Sequence, residues 1–145
     1  MIHLNASLRR IVYVLSFETL AIGLSTLLLG ALGHGSPAEN LPVATAVSVI
    51  ALIWNFIFNT GFEAYERRKG LTSRSVGLRL AHSLGFEGGL VVFCVPLFML
   101  WYGVGPIEAI KMEAAILIFF FVFTFVFTWV FDRIFSLPNA PARPA

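Results

Sequence analysis

Four long apolar stretches, each closed by glycine, proline or a cluster of charges, organise this chain: roughly residues 11–32, 43–62, 80–102 and 114–131. Each is close to the ~20 residues a helix needs to cross a ~30 Å hydrocarbon core. The pattern predicts an all-α integral membrane protein of four transmembrane helices. Breakers stand where turns must lie. Gly33-His34-Gly35-Ser36-Pro37 closes the first helix pair and Gly103-Val104-Gly105-Pro106 the second, and neither sequence continues a helix easily. The charged run from Glu63 to Lys69 carries the second helix beyond the lipid before Gly70 ends it. Residues 136–145 are proline-rich and read as a disordered tail.

The polar positions inside the apolar stretches repeat. Arg10-Ile-Val-Tyr13-Val-Leu-Ser-Phe17-Glu18 returns as Arg79-Leu-Ala-His82-Ser-Leu-Gly-Phe86-Glu87, an offset of 69 positions from 18 to 87. The same offset aligns Trp54-Asn55-Phe-Ile-Phe58-Asn59-Thr-Gly-Phe62-Glu63 with Phe123-Thr124-Phe-Val-Phe127-Thr128-Trp-Val-Phe131-Asp132. The chain therefore reads as two tandem helical hairpins, 1–69 and 70–135. Each hairpin begins and ends on one side of the membrane, so the repeats are parallel and related by an axis along the membrane normal.

Composition sharpens this picture. Of the 145 residues, 58% are hydrophobic and 12% charged, with mean hydropathy +0.85; soluble domains carry about twice that share of charge. Four spans leave little chain for anything else. The protein is too small to enclose a wide pore alone, which leaves room for a homodimer. Nine of the ten basic residues fall at the ends or in the central loop, and Lys111 alone falls on the opposite side. That bias predicts cytoplasmic termini and a cytoplasmic central loop. It also answers to lipid head groups and topology rather than to nucleic acid. The first span carries Glu18 midway and is copied by an internal helix, so it reads as part of the mature protein rather than a cleaved signal. Cys94 stands alone inside a span, and metal-ligand spacings of Cys and His are absent. Neither a cofactor nor a metal is expected.

A carboxylate deep in a membrane-length helix costs several kcal/mol unless it is protonated, paired or wet. Glu18 and Glu87 repeat that cost at matched positions, which points to a site that binds and releases protons or cations. Eight steps separate Arg10 from Glu18, or roughly 12 Å of depth. Asn55 lies eight steps from Glu63, at about the same depth. Asn55, Asn59 and Glu63 form a stripe at i, i+4, i+8, and Thr124, Thr128 and Asp132 repeat it. Each hairpin thus has a glutamate beside an amide or a hydroxyl at one level. A carboxyl moved from water into hydrocarbon favours its neutral form, and a second acid nearby adds to the effect. Such a group takes a proton at an acidic face and yields it when a cation competes, the minimum chemistry of antiport.

Other residues are secondary candidates. Trp54 is the best ring for a ligand wall, by the attraction of aromatic faces for cations. His82, Glu63, Asp132 and Glu113 are candidates for proton relay or gating, with an interfacial hydrogen bond as the plainer role of His82 and anchoring near the basic loop as that of Glu63 and Asp132. Glu113 gathers with Glu39 and Glu108 at the outer side, where the three draw in cations; Glu39 and Glu108 read equally well as solvated loop charge. Asn59, Thr124 and Thr128 also suit simple interhelical hydrogen bonding. Gly85, Gly88 and Gly89 around Glu87 suit close helix contact. The main alternative to transport is a small membrane scaffold whose polar stripes dock helices. No nucleophile–base pair or phosphate loop supports an enzyme.

These motifs resemble a known family. Arg79-x-x-His82-x-x-x-Phe86-Glu87-Gly-Gly and Trp54-Asn55-x-x-Phe58-Asn59-x-x-Phe62-Glu63, with their copies, are similar to the proteobacterial antimicrobial compound efflux transporters. The resemblance runs from Arg9 to Asp132. It implies a four-helix protein of the bacterial inner membrane that exports organic cations in exchange for protons. The implied substrates are biguanides such as chlorhexidine, acridines, quaternary ammonium compounds and short diamines. It also implies that Glu18 is the protonation and coupling residue. Tyr13 departs from the family pattern, standing where a histidine is expected.

Overall fold

A computed structural model describes residues 4–71, 73 and 75–135. The proline-rich tail and Arg74 lie outside the described residues. Four helices follow one another: α1 (Ala6–Ala31), α2 (Pro37–Arg68), α3 (Val76–Tyr102) and α4 (Pro106–Ile134). They run longer than the apolar stretches because the caps, not the hydropathy, set their ends. Asn5 accepts from the Leu8 amide at 2.7 Å and starts α1 ahead of its apolar run. Ser36 and Glu39 form a reciprocal capping box, with Pro37 in the first turn of α2. Ser75 caps α3, and Gly105-Pro106 opens α4. The left-handed residues Gly33, Gly35, Gly70 and Gly103 close the three connections. As the charged run implied, α2 continues to Arg68 before Gly70 turns the chain.

Each helix packs on its neighbours in the order α1–α2–α3–α4–α1, while the diagonals α1–α3 and α2–α4 stay apart. The bundle is a four-cornered ring around a central space. All four helices are long and apolar enough to cross a membrane. Leu100, Val76, Phe121 and Ile107 are more than 70% exposed, as the outside of a bundle solvated by lipid requires. This is a multi-pass membrane protein built as two tandem helical hairpins.

The tandem repeat persists in the contacts between hairpins, where 69 positions relate one interface to the other. Tyr13 on α1 shares a hydrogen bond with Thr128 on α4 at 2.9 Å, and His82 on α3 shares one with Asn59 on α2 at 2.8 Å. Around them, Tyr13–Phe127 and His82–Phe58 both lie at 5.2 Å, and Tyr13–Phe131 and His82–Phe62 at 5.0 and 4.7 Å. Tyr13 thus keeps an interhelical contact at its position. A hydroxyl pair with Thr128 stands where the other interface uses an imidazole and an amide, each worth about 1 kcal/mol between membrane helices. The polar stripes of α2 and α4 consequently dock across hairpins, not within them.

Buried side chains concentrate in the half of the bundle nearest the hairpin loops. Leu29, Val43, Val47, Cys94, Val95, Phe98, Ala109, Met112 and Ile116 make one core there. Above it the buried Asn40 donates to the His34 carbonyl and accepts from the Tyr102 hydroxyl, both at 2.7 Å. The half nearest the termini is held by the two aromatic interfaces and by an Arg9–Asp132 ion pair.

Candidate functional site

A cavity of about 570 Å³ opens between the four helices, below the sealed core. Its walls come from the spacing of each helix. On α1, Phe17 and Glu18 face it; on α2, Val47, Ser48, Ala51, Leu52 and Asn55; on α3, Phe86, Glu87, Leu90 and Cys94. On α4 the sequence Glu113, Ile116, Leu117, Phe120, Thr124 recurs at helical periodicity along the same face. Phe121 and Phe125, 81% and 73% exposed, stand at its rim. No Lys or Arg is among the lining residues.

Glu18 and Glu87 therefore share one cavity, Glu18 midway along α1 and Glu87 eleven residues into α3. Asn55 and Thr124 join them from the two diagonal helices. The repeat is broken at their partners. The Ser48 hydroxyl hydrogen-bonds the Glu18 carboxyl, whereas the apolar Leu117 occupies the matched position in the lining of the cavity. Desolvation and aromatic walls make this a site where a cation gains from both charge and ring faces.

The placement of Glu113 corrects the sequence reading. It is not part of an outer acidic rim: it is 2% exposed and lines the cavity. The reason is the early start of α4. Capped at Gly105, the helix carries Glu113 two turns inward, about 10 Å from its first residue. Glu39 and Glu108 do lie at the loop end, where Glu39 serves the capping box and Glu108 meets His34 at 3.4 Å and Lys111 at 3.6 Å.

Several sequence candidates fall outside the cavity. Trp54 lies over Gly89 and donates its Nε1–H to the Phe86 carbonyl at 2.9 Å. Asn59 is occupied by His82 and by the Asn55 carbonyl. Glu63 stays on the exposed surface near Arg67, 3.9 Å away, and Asp132 pairs with Arg9. Of the three glycines, Gly89 and Gly85 allow close approach, against Trp54 and Phe58, while Gly88 faces open space. Ser48, Cys94 and the phenylalanine walls were missed. For Ser48 a signal existed: it sits seven residues before Asn55, on the same helix face.

A family profile described as chlorhexidine efflux transporter matches residues 6–68 and again residues 74–137. The chain belongs to this family. The double match is the tandem repeat seen in the contacts. Relatives point the same way. A short-chain diamines transporter of Vibrio parahaemolyticus is 30% identical over 112 residues, 77% of this chain and 79% of that protein. A short-chain diamines transporter of Acinetobacter baumannii is 28% identical over 140 residues, 94% of this chain and 95% of its own. No solved structure matches. Membership in the chlorhexidine efflux transporter family makes the chain a membrane transport protein and not an enzyme. The scaffold alternative falls with it.

Proposed function

We propose that the protein exports small organic cations, with short-chain diamines and chlorhexidine-type biguanides as its substrate classes, in exchange for protons. One observation carries the reading: ionisable carboxyls from three helices line one aromatic-walled cavity that holds no cationic side chain of its own. Glu18 and Glu87 hold protons when the cavity is empty of substrate and release them to an entering cation. Asn55 and Thr124 orient it, Phe17 and Phe86 cover its apolar part, and Trp54 and Asn59 hold the α2–α3 wall from behind. The contacts at the termini end, His82–Asn59, Tyr13–Thr128 and Arg9–Asp132, are those that rocking one hairpin on the other must slide or break. They act as gates, with Glu63 at their margin. The loop-end core closes the opposite side, so the cavity faces the termini.

Both termini and the loop around residue 73 lie in the cytoplasm, by the bias of the basic residues, and the protein sits in the bacterial inner membrane, as its family resemblance implies. Cysteines introduced at Ser73 and at Ser36 are expected to label from opposite sides of intact cells. Labelling of both from outside contradicts this orientation. The transport reading is tested with purified protein in liposomes under an imposed pH gradient. Diamines and chlorhexidine should move against their own gradient while protons flow the other way. Movement of cations indifferent to the pH gradient, or none at all, sinks the proposal.

A further inference from the structure

Glu113 is set apart among the cavity carboxyls by a buried oxygen that no described residue completes. The Cys94 thiol donates to its carboxyl group, and Oε2 is buried with no partner. A carboxyl oxygen left without a partner in a dry interior is costly. Packing does not demand it. At the matched position of the first hairpin stands Ala44, 1% exposed, beside the equivalent of Cys94, Ser25, which bonds within its own helix. One repeat thus fills this corner with apolar volume and the other places an acid there.

Its position relative to Glu87 is also informative. Cys94 lies two turns beyond Glu87 on the same face of α3, about 10 Å along the axis. The two carboxyls lie close enough to interact electrostatically. With no Lys or Arg in the cavity lining, balancing positive charge comes from bound protons or from the ligand that displaces them. Two carboxylates sharing a low-dielectric space repel one another, and a cation with a positive group at each end relieves that repulsion. A molecule with one positive group engages the first carboxylate and leaves the second unanswered.

We infer that Glu113 is a second ammonium-binding carboxylate of the cavity, set toward the loop end, which lets the site grip both ends of a short diamine. The inference rests on the cation-transport reading above and adds the basis for choosing dications over monocations. The mid-depth pair, Glu18 and Glu87, takes one ammonium group. Glu113 takes the other through the free Oε2, while Cys94 fixes the carboxyl's orientation. A monovalent cation uses the mid-depth pair alone.

Titration calorimetry on the full-length purified protein separates the possibilities, with 1,5-diaminopentane and 1-aminopentane as probes. They share a carbon chain and differ by one ammonium group. The parent should bind the diamine about tenfold or more tighter than the monoamine, since a charge-assisted contact is worth at least that factor. Glu113→Gln keeps the shape and should bring the two affinities to within about twofold, chiefly by weakening the diamine. Glu113→Asp, which keeps the charge, should retain part of the preference. If Glu113→Gln keeps the full diamine preference, or weakens both amines equally, Glu113 is a packing residue and the inference fails. If the parent binds neither amine, the cation-transport reading itself fails and takes this subsite with it.

Discussion

Glu18→Gln should fold, bind cations weakly and lose all accumulation driven by a pH gradient. The amide keeps the volume and can still meet the Ser48 hydroxyl, so the α1–α2 wall is preserved. What it removes is a proton that can leave. A gradient of one pH unit supplies about 1.4 kcal/mol per exchanged proton, hence about a tenfold accumulation of a monovalent cation. In liposomes the parent should approach that ratio, and Glu18→Gln should equilibrate the cation and stop. Glu87→Gln is expected to reduce transport as well, because the two acids line one cavity. Accumulation by Glu18→Gln at the parental ratio would show that the coupling proton lies elsewhere.

The second large effect is on stability and comes from Gly89→Ala. A methyl at this position overlaps the Trp54 indole, which is itself fixed by its hydrogen bond to the Phe86 carbonyl. The ring is rigid and cannot yield as a long side chain would. Either α2 and α3 separate or the indole rotates out and the hydrogen bond is lost. Overpacking of this kind costs about 1–3 kcal/mol, and the hydrogen bond adds about 1. The melting temperature in detergent should fall by about 10 °C. Gly85→Ala, which meets only the edge of Phe58 at 2.9 Å, should cost less, and Gly88→Ala, with open space around it, almost nothing. Equal melting temperatures for Gly88→Ala and Gly89→Ala would mean that Trp54 does not set the α2–α3 distance.

The spans, the repeat and the turns were legible because each rests on local chemistry: apolar length, a 69-residue echo, and the breakers around Gly33, Gly70 and Gly103. Glu18 and Glu87 were legible as a matched pair, which the fold brings to one cavity, because their cost and symmetry are both visible in the chain. Glu113 was not, for a physical reason. Its matched position holds Ala44, so the repeat gives no warning, and its place just ahead of the apolar run hides that Gly105-Pro106 starts α4 well before it. Reading the face instead of the depth, through Ile116, Phe120 and Thr124, would have found it. The contacts of Tyr13 and Trp54 were not legible for another reason. Their partners, Thr128 and the Phe86 carbonyl, belong to the opposite hairpin, and which hairpin faces meet is decided by tertiary packing, not by spacing.

The central claim, that cations displace protons from the cavity carboxyls, is tested most directly by counting protons. Purified protein in weakly buffered detergent solution near neutral pH is titrated with 1,5-diaminopentane while a pH dye is followed. The parent should release about one proton or more for each diamine bound, as linkage requires if the two ligands compete for the same carboxyls. Glu18→Gln should release about one fewer. Diamine binding with no proton release, or the same release from Glu18→Gln as from the parent, contradicts the account.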